Sequence, residues 1–398
     1  MPETKDTLEA SAFLSNLHER ALRPGGTRTL SIQEAERTVA TLFDAKNDLV
    51  RRYGEDAKRE LETFSGDWQG ARQHATAQLQ HIIPRSFAPT YISEAVTNLN
   101  SIPANPLRTA YEYWYLAANL QIIRYIAGRY FETCPMPLFD TVQIGHVHAL
   151  VKRFGSQIVL VFQSGTKAFT NLFAKAFVRI WLETAQLIHD SRITTLDAHH
   201  ELEILRQIKT TDTLREIFHS YLFLGHPIAG MFVDQKDNIN LIASKFETAM
   251  DRFIVSHEYA HILHRHEPGG EPRQRQNQEK EADRTGLLLM LESWTGDEED
   301  YVIPFCAAHV VIAVQQMIMG TVYSVTGRVD AQRNYSTALE RKVNLMAVCE
   351  RTRRLTPMME QTALGLLGTL EALYRIIEPS LLETAKIGRP LAHLWQGA

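Results

Sequence analysis

The chain has few cysteines, little net charge and few apolar residues in its first ten positions. Its three cysteines, Cys134, Cys306 and Cys349, are odd in number and far apart. This excludes a disulfide-framed secreted domain and suits a reducing compartment. A formal net charge of -4 offers no global attraction to nucleic acid, so we expect no such partner. Residues 1–10 are polar and acidic, unlike a secretory signal, and we predict a cytoplasmic protein.

Charged residues are also missing from one long apolar segment, residues 302–327. The segment is long enough to cross a bilayer. However, Pro304, His309, Gln315 and Gln316 interrupt it, and two adjacent glutamines are hard to satisfy in lipid. We therefore predict a buried core helix and expect no membrane partner, with a membrane span as the alternative.

Hydrophobic periodicity indicates mostly helices. The apolar, β-branched run QIVLVFQ, between Gly155 and Gly165, predicts a buried strand, and apolar segments around the polar turn 234–238 predict a β-hairpin that includes residues 239–243. We predict a mainly α-helical α+β protein with a small β-sheet, divided into a helical N-terminal region (1–150) and a catalytic region with C-terminal helices (151–398). Helices are predicted over residues 31–64, 68–83, 107–130, 168–189, 202–223, 245–265, 276–294, 303–325, 334–353 and 358–377.

A metal-binding motif lies in the predicted helix 245–265. His257, Glu258 and His261 form the pattern HExxH, and the four-residue spacing of the histidines places both imidazoles on one helical face. Two zinc ligands can therefore converge. The same five residues can also occur on the solvated face of an ordinary helix. Whether they bind a metal is therefore judged from the surrounding sequence.

The following predicted helix supplies the missing carboxylate. Glu279 comes 18 residues after His261, and Asp283 lies one turn further on the same face. Two histidines, one carboxylate and an open position are typical of a catalytic zinc site. By ~100° per residue, Glu281 points roughly 200° away from Glu279 and is expected to face solvent. We expect His264 to be a surface residue at the helix end.

These two segments resemble the gluzincin metallopeptidases, in which HExxH is followed by a helix of ExxxD type. RFIVSHEYAHILHRH and QEKEADRTGLLL together look like the M48-type peptidases, and the first also looks like the ImmA/IrrE family of cytosolic metallopeptidases. The resemblance covers residues 251–289, which is the metal site alone. It implies a zincin-like fold for the catalytic region.

The resemblance also implies roles for the motif residues. His257, His261 and Glu279 would bind Zn²⁺, and Glu258 would be the general base. Asp283 would accept the spare N–H of a ligand histidine, which fixes its tautomer. The reaction implied is hydrolysis of a protein or peptide substrate.

The chain departs from the M48-type pattern further along. NYSTALERK, residues 334–342, lacks the His-Pro motif followed by arginine that these enzymes often carry. The donor that stabilises the oxyanion therefore stays open among Tyr335, Arg341 and His309.

One further expectation and two alternatives concern function. We expect the hairpin at residues 239–243 to hold an extended substrate chain. A metal-dependent sensor of ImmA/IrrE type and a membrane-associated M48-type peptidase are the alternatives. The sequence does not indicate the oligomeric state.

Overall fold

The computed structural model describes ten parts of the chain. They are mostly helical and include one small sheet, which confirms the predicted class of a mainly α-helical α+β protein. The described residues are 5–22, 110–142, 149–190, 198–219, 221, 237–266, 271–294, 301–326, 345–348 and 356–387.

The helices follow the predicted periodicity closely in most places, although several predicted helices, 31–64, 68–83 and most of 334–353, lie outside the described residues. The bounds are α1 Lys5–Leu22, α2 Ala110–Ala127, α3 Ser164–Asp190, α4 Ala198–Gln207, α5 Thr210–His219, α6 Asp237–Leu263, α7 Pro272–Ser293, α8 Val302–Thr326 and α9 Pro357–Ile387.

The sheet has three strands, β1 (Leu138–Val142), β2 (Ala149–Phe154) and β3 (Gln157–Gln163), in the order β1-β3-β2. The predicted strand QIVLVFQ is confirmed as β3, which is central, parallel to β1 and antiparallel to β2. Its interior is apolar throughout because neighbours cover both faces. The position 150/151, predicted as a domain boundary, falls inside β2.

A tight turn joins β2 to β3, and the first helix is attached to it. Gly155 has φ +55°, a conformation that a two-residue hairpin turn needs and that glycine adopts readily. The Asp6 carboxylate of α1 accepts hydrogen bonds from the backbone N–H of Ser156 (2.8 Å) and from its hydroxyl (3.0 Å). These bonds lower the pKa of Asp6.

The predicted strand at residues 239–243 is wrong, because α6 already begins at Asp237. The main core is the largest cluster of buried apolar residues, and helices α3 to α9 contribute to it. Ile242, Ala243 and Phe246 pack with this core at helical spacing, whereas Leu241 is exposed. The five residues Ile-Asn-Leu-Ile-Ala fit both periods, and the helical period that continues through Phe246 favours the helix. The other predicted strand of that hairpin, residues 231–233, lies outside the described residues.

The helix predicted over residues 202–223 is interrupted between α4 and α5. The hydroxyl of Thr211 donates to the carbonyl of Leu205 (2.9 Å), and the backbone N–H of Thr211 bonds the carbonyl of Ile208 (3.0 Å). Threonine side chains compete with the helical backbone in this way, which ends one helix and starts the next.

Helix α6 lies at the centre of the fold. One side packs with α3, α7 and α8 in the main core through residues such as Phe246 and Phe253. Its other side packs with α2 and the sheet through Val255, Tyr259 and Ile262. A helix that is covered around most of its circumference is held rigidly, so α6 can fix the positions of functional side chains.

Helix α8 contains the long apolar segment. Phe305, Cys306 and Val310 are buried in the main core, as the predicted core helix requires. Within the described residues, no helix is both long and apolar enough to cross a membrane.

Candidate metal centre

Helices α6 and α7 bring three metal-ligating side chains together. Nε2 of His257 lies 3.1 Å from Nε2 of His261, and the Glu279 carboxylate oxygens lie 3.4 Å and 3.6 Å from these two atoms. Donor atoms about 2.0–2.1 Å from a tetrahedral ion stand roughly 3.3–3.4 Å apart. The three side chains therefore fit three corners around one metal ion, and they could hold one.

A glycine permits the close approach of the two helices. A Cβ at Gly286 of α7 would stand 3.0 Å from both Cα and N of His257. Any other residue at this position would push α7 away from the ligand helix. The sequence prediction missed this residue, although a glycine inside a helical pattern is a recognisable sign of close packing.

The structure places Asp283 beside His257. Its Oδ1 lies 3.0 Å from Nδ1 of His257, and the carboxylate is fully buried. Burial alone lowers the pKa of His257, but the hydrogen bonds to Asp283 and Glu279 outweigh it and raise that pKa to about 10. Asp283 thus orients the ring so that Nε2 faces the other donors.

The second histidine of the motif has a different partner. Nδ1 of His261 lies 2.8 Å from Nδ1 of His266, and Nε2 of His266 lies 2.9 Å from Oε2 of Glu281. Burial and the neighbouring His257 lower the pKa of His261 to about 3. The sequence prediction did not find His266 as a partner of His261.

Glu281 faces solvent as expected, whereas the expectation that His264 is a surface residue needs correction. Glu281 is 54% exposed, as expected, but its carboxylate contacts His266 and lies 3.3 Å from Nδ1 of His264. His264 is only 20% exposed and bonds the hydroxyl of Thr285 (2.8 Å). Both side chains belong to a polar network beside the candidate ligand His261 rather than to a plain solvated face.

Glu258 follows His257 directly and lies outside the donor triangle. Burial raises its pKa to about 7; the His257 charge lowers this pKa and the Glu279 charge raises it. A carboxylate with a pKa in this range can take up and return a proton at neutral pH. Its position beside the centre therefore suits acid–base chemistry.

A buried polar cluster fixes α6 two turns before the ligands. The Lys167 ammonium bonds the carboxylates of Glu247 and Asp251, the latter at 2.6 Å, and the Thr170 hydroxyl donates to Asp251 (2.6 Å). Burial raises the pKa of Asp251 to about 6, although Lys167 lowers it. This cluster joins α6 to α3, and the sequence prediction did not find it.

A second buried group joins α6 to α2 and α7. The Arg252 guanidinium donates to the side-chain oxygen of Asn119 and to the backbone carbonyl of Ser293, both at 3.0 Å. Burial lowers its pKa to about 10. These bonds hold together the three helices around the donor triangle.

The oxyanion donor stays a prediction. His309 is buried in α8 and donates through Nδ1 to the carbonyl of Phe305 (2.8 Å). Tyr335 and Arg341 lie outside the described residues.

Comparisons of the chain with protein-family models, curated proteins and solved structures found no match. The chemistry of the centre is therefore inferred from its own residues.

Proposed function

We propose that the chain is a zinc-dependent metallopeptidase with a zincin-like catalytic region. The observation that supports this most is the donor triangle of His257, His261 and Glu279, with Glu258 next to it in the sequence. The triangle provides three ligands and leaves one tetrahedral position for water or substrate, as catalytic zinc sites do.

The donor types fit zinc and disfavour calcium and magnesium. Two imidazole nitrogens and one carboxylate suit zinc, whereas calcium and magnesium prefer oxygen ligands alone. The Asp283 carboxylate behind His257 adds the outer partner that zinc-binding histidines usually have.

The residues of the centre have separate roles in the proposed reaction. When bound, zinc acts as a Lewis acid and lowers the pKa of water to about 7. Glu258 accepts the proton that the attacking water loses and passes it to the nitrogen of the leaving amine. Asp283 keeps His257 oriented throughout, so that the ligand does not reorganise during the reaction.

We propose protein or peptide substrates, because this reaction cleaves an amide bond. The segment expected to hold the substrate, residues 239–243, is part of α6, so that role loses its structural basis.

Replacing Glu258 by Gln tests the proposal. The variant should bind about one zinc per chain, like the wild type, because Glu258 is not a ligand. It should lose about 10²- to 10⁴-fold in peptidase activity, the usual contribution of a general base. Metal analysis and a comparison of new peptide termini in a proteome digested with either protein measure both effects.

Two results would contradict the proposal. A wild-type protein that binds no zinc would refute the proposed zinc centre. A Glu258→Gln variant that cleaves as fast as the wild type would show that Glu258 is not the general base. A wild-type protein that binds zinc but cleaves nothing would favour the sensor alternative.

A further inference from the structure

The end of helix α6 folds the chain back onto a ligand histidine. Arg265 has φ +55°, the backbone N–H of Arg265 bonds the carbonyl of Ile262 (3.2 Å), and the N–H of His266 bonds the carbonyl of His261 (3.0 Å). These two bonds form a Schellman motif, which normally has glycine at the left-handed position. The turn places His266 directly beside His261.

The two imidazole rings meet edge to face. Their centroids are 4.9 Å apart with an interplanar angle of 72°, and the Nδ1 atoms are 2.8 Å apart. At this distance one of the two nitrogens must donate and the other must accept. His266 cannot bind the same ion as His261 through this nitrogen, because its Nδ1 faces the side of the His261 ring opposite the donor triangle.

Glu281 determines which nitrogen donates. A carboxylate only accepts, so the contact of 2.9 Å between Glu281 and Nε2 of His266 assigns the proton of the neutral His266 ring to Nε2. Nδ1 of His266 is then the acceptor, and Nδ1–H of His261 must donate to it. In this tautomer, Nε2 of His261 presents its lone pair to the metal position.

We propose that His266, oriented by Glu281, is a positioning residue for the metal ligand His261. This inference rests on the proposed zinc centre. Each ligand histidine then has its own outer partner, Asp283 for His257 and the His266–Glu281 pair for His261. Losing such a partner typically weakens metal affinity about 10- to 100-fold.

The test compares zinc affinities, measured by competition with a chromophoric chelator. His266→Ala should weaken zinc binding by roughly 10- to 100-fold. His266→Asn should restore much of the affinity, because its amide oxygen can accept from His261 in place of Nδ1. Glu281→Ala should cause a smaller loss, because it leaves His266 in place but unoriented.

His264→Ala is the matched control. His264 belongs to the same helix end and contacts Glu281, Thr285 and the rings of Phe131 and His266, but it contacts neither ligand histidine. Its zinc affinity should fall far less than that of His266→Ala, because the His266–His261 bond stays in place. Thermal unfolding of the zinc-free proteins separates a metal-specific effect from a general loss of stability.

Nitrogen-15 NMR of the zinc-loaded wild type gives a second readout. A proton on Nδ1 of His261, with a shift typical of a hydrogen-bonded imidazole, is expected. Zinc binding by His266→Ala that is as tight as in the wild type would overturn the inference while leaving the proposed zinc centre intact. A wild-type protein without zinc affinity would overturn both.

Discussion

Gly286→Ala tests the contact between the two helices that carry the metal ligands. The new methyl would stand 3.0 Å from N and Cα of His257, whereas ordinary contact begins near 3.4 Å. Because both opposing atoms belong to the backbone, no side-chain rotation relieves the clash. Helix α7 must therefore move away from α6 by about 0.4 Å or more at this point.

The magnitude follows from two opposing effects. Overpacking in a tight interior costs roughly 1–3 kcal/mol, and alanine in a helix gains about 0.5–1 kcal/mol over glycine. We expect a net loss of roughly 1 kcal/mol in the free energy of unfolding of the zinc-free protein. Glu279 is seven residues from Gly286 on α7, so the same displacement separates the carboxylate from the histidines.

The effect on the metal should exceed the effect on stability. Metal–ligand distances in protein sites lie within about ±0.2 Å of their usual values, and the required shift is larger than this spread. We therefore expect zinc affinity to fall by about tenfold or more, as for the loss of an outer partner. Zinc titration and thermal unfolding with and without zinc measure the two quantities separately.

Gly365→Ala and Gly368→Ala in α9 are the matched controls. An added Cβ meets nothing within 4 Å at either position. Both variants should be about 0.5–1 kcal/mol more stable and should bind zinc normally. If Gly286→Ala behaves like these controls, the close contact does not position the ligands and the reasoning fails.

Three more predictions concern the ligands, the helix end and the buried cluster. Glu279→Ala should lose zinc, and Asp283→Ala should bind it about 10- to 100-fold more weakly, as metal titration would show; retention of full affinity by either would contradict the geometry. Arg265→Gly should raise the free energy of unfolding by about 1 kcal/mol. The left-handed backbone conformation costs a residue with a Cβ ~1–2 kcal/mol, which exceeds the entropic cost of glycine. A lower free energy of unfolding in denaturant titrations would refute this prediction. Burial raises the pKa of Asp251 from 3.8 to about 6, so the folded state binds this proton more tightly than the unfolded state does. The free energy of unfolding should therefore fall as pH rises from 4 to 6. Asp251→Asn should remove this part of the pH dependence, and an unchanged profile in denaturant titrations at pH 4 to 7 would refute the prediction.

The residues predicted as metal ligands lie together in the structure. Their prediction depended mainly on local helix geometry, which the sequence determines. The spacing of His257 and His261 fixes their common face on any α-helix. The same arithmetic puts Glu279 and Asp283 on one face of α7 and turns Glu281 away from it. The fold places α7 so that this face meets the histidines.

Short windows and long-range contacts were predicted less well. The run at residues 239–243 fits a strand and a helix equally, and only the packing of Ala243 and Phe246 in the main core decides between them. Glu281 faces away from the metal ligands, as predicted, yet the turn at Arg265 brings His266 and His264 to its carboxylate. A reversal of the chain outside the helix cannot be read from helical periodicity.

The sequence by itself determined the mainly helical class, the central strand Gln157–Gln163 and the residues that can ligate a metal, because these depend on periodicity and on side-chain chemistry. Only the tertiary structure decided how closely α6 and α7 approach at Gly286, which partner each ligand histidine has, and how Lys167 and Asp251 are buried together. These features join residues far apart in the chain. Their energies depend on distances of a few tenths of an ångström, which only the packed core fixes.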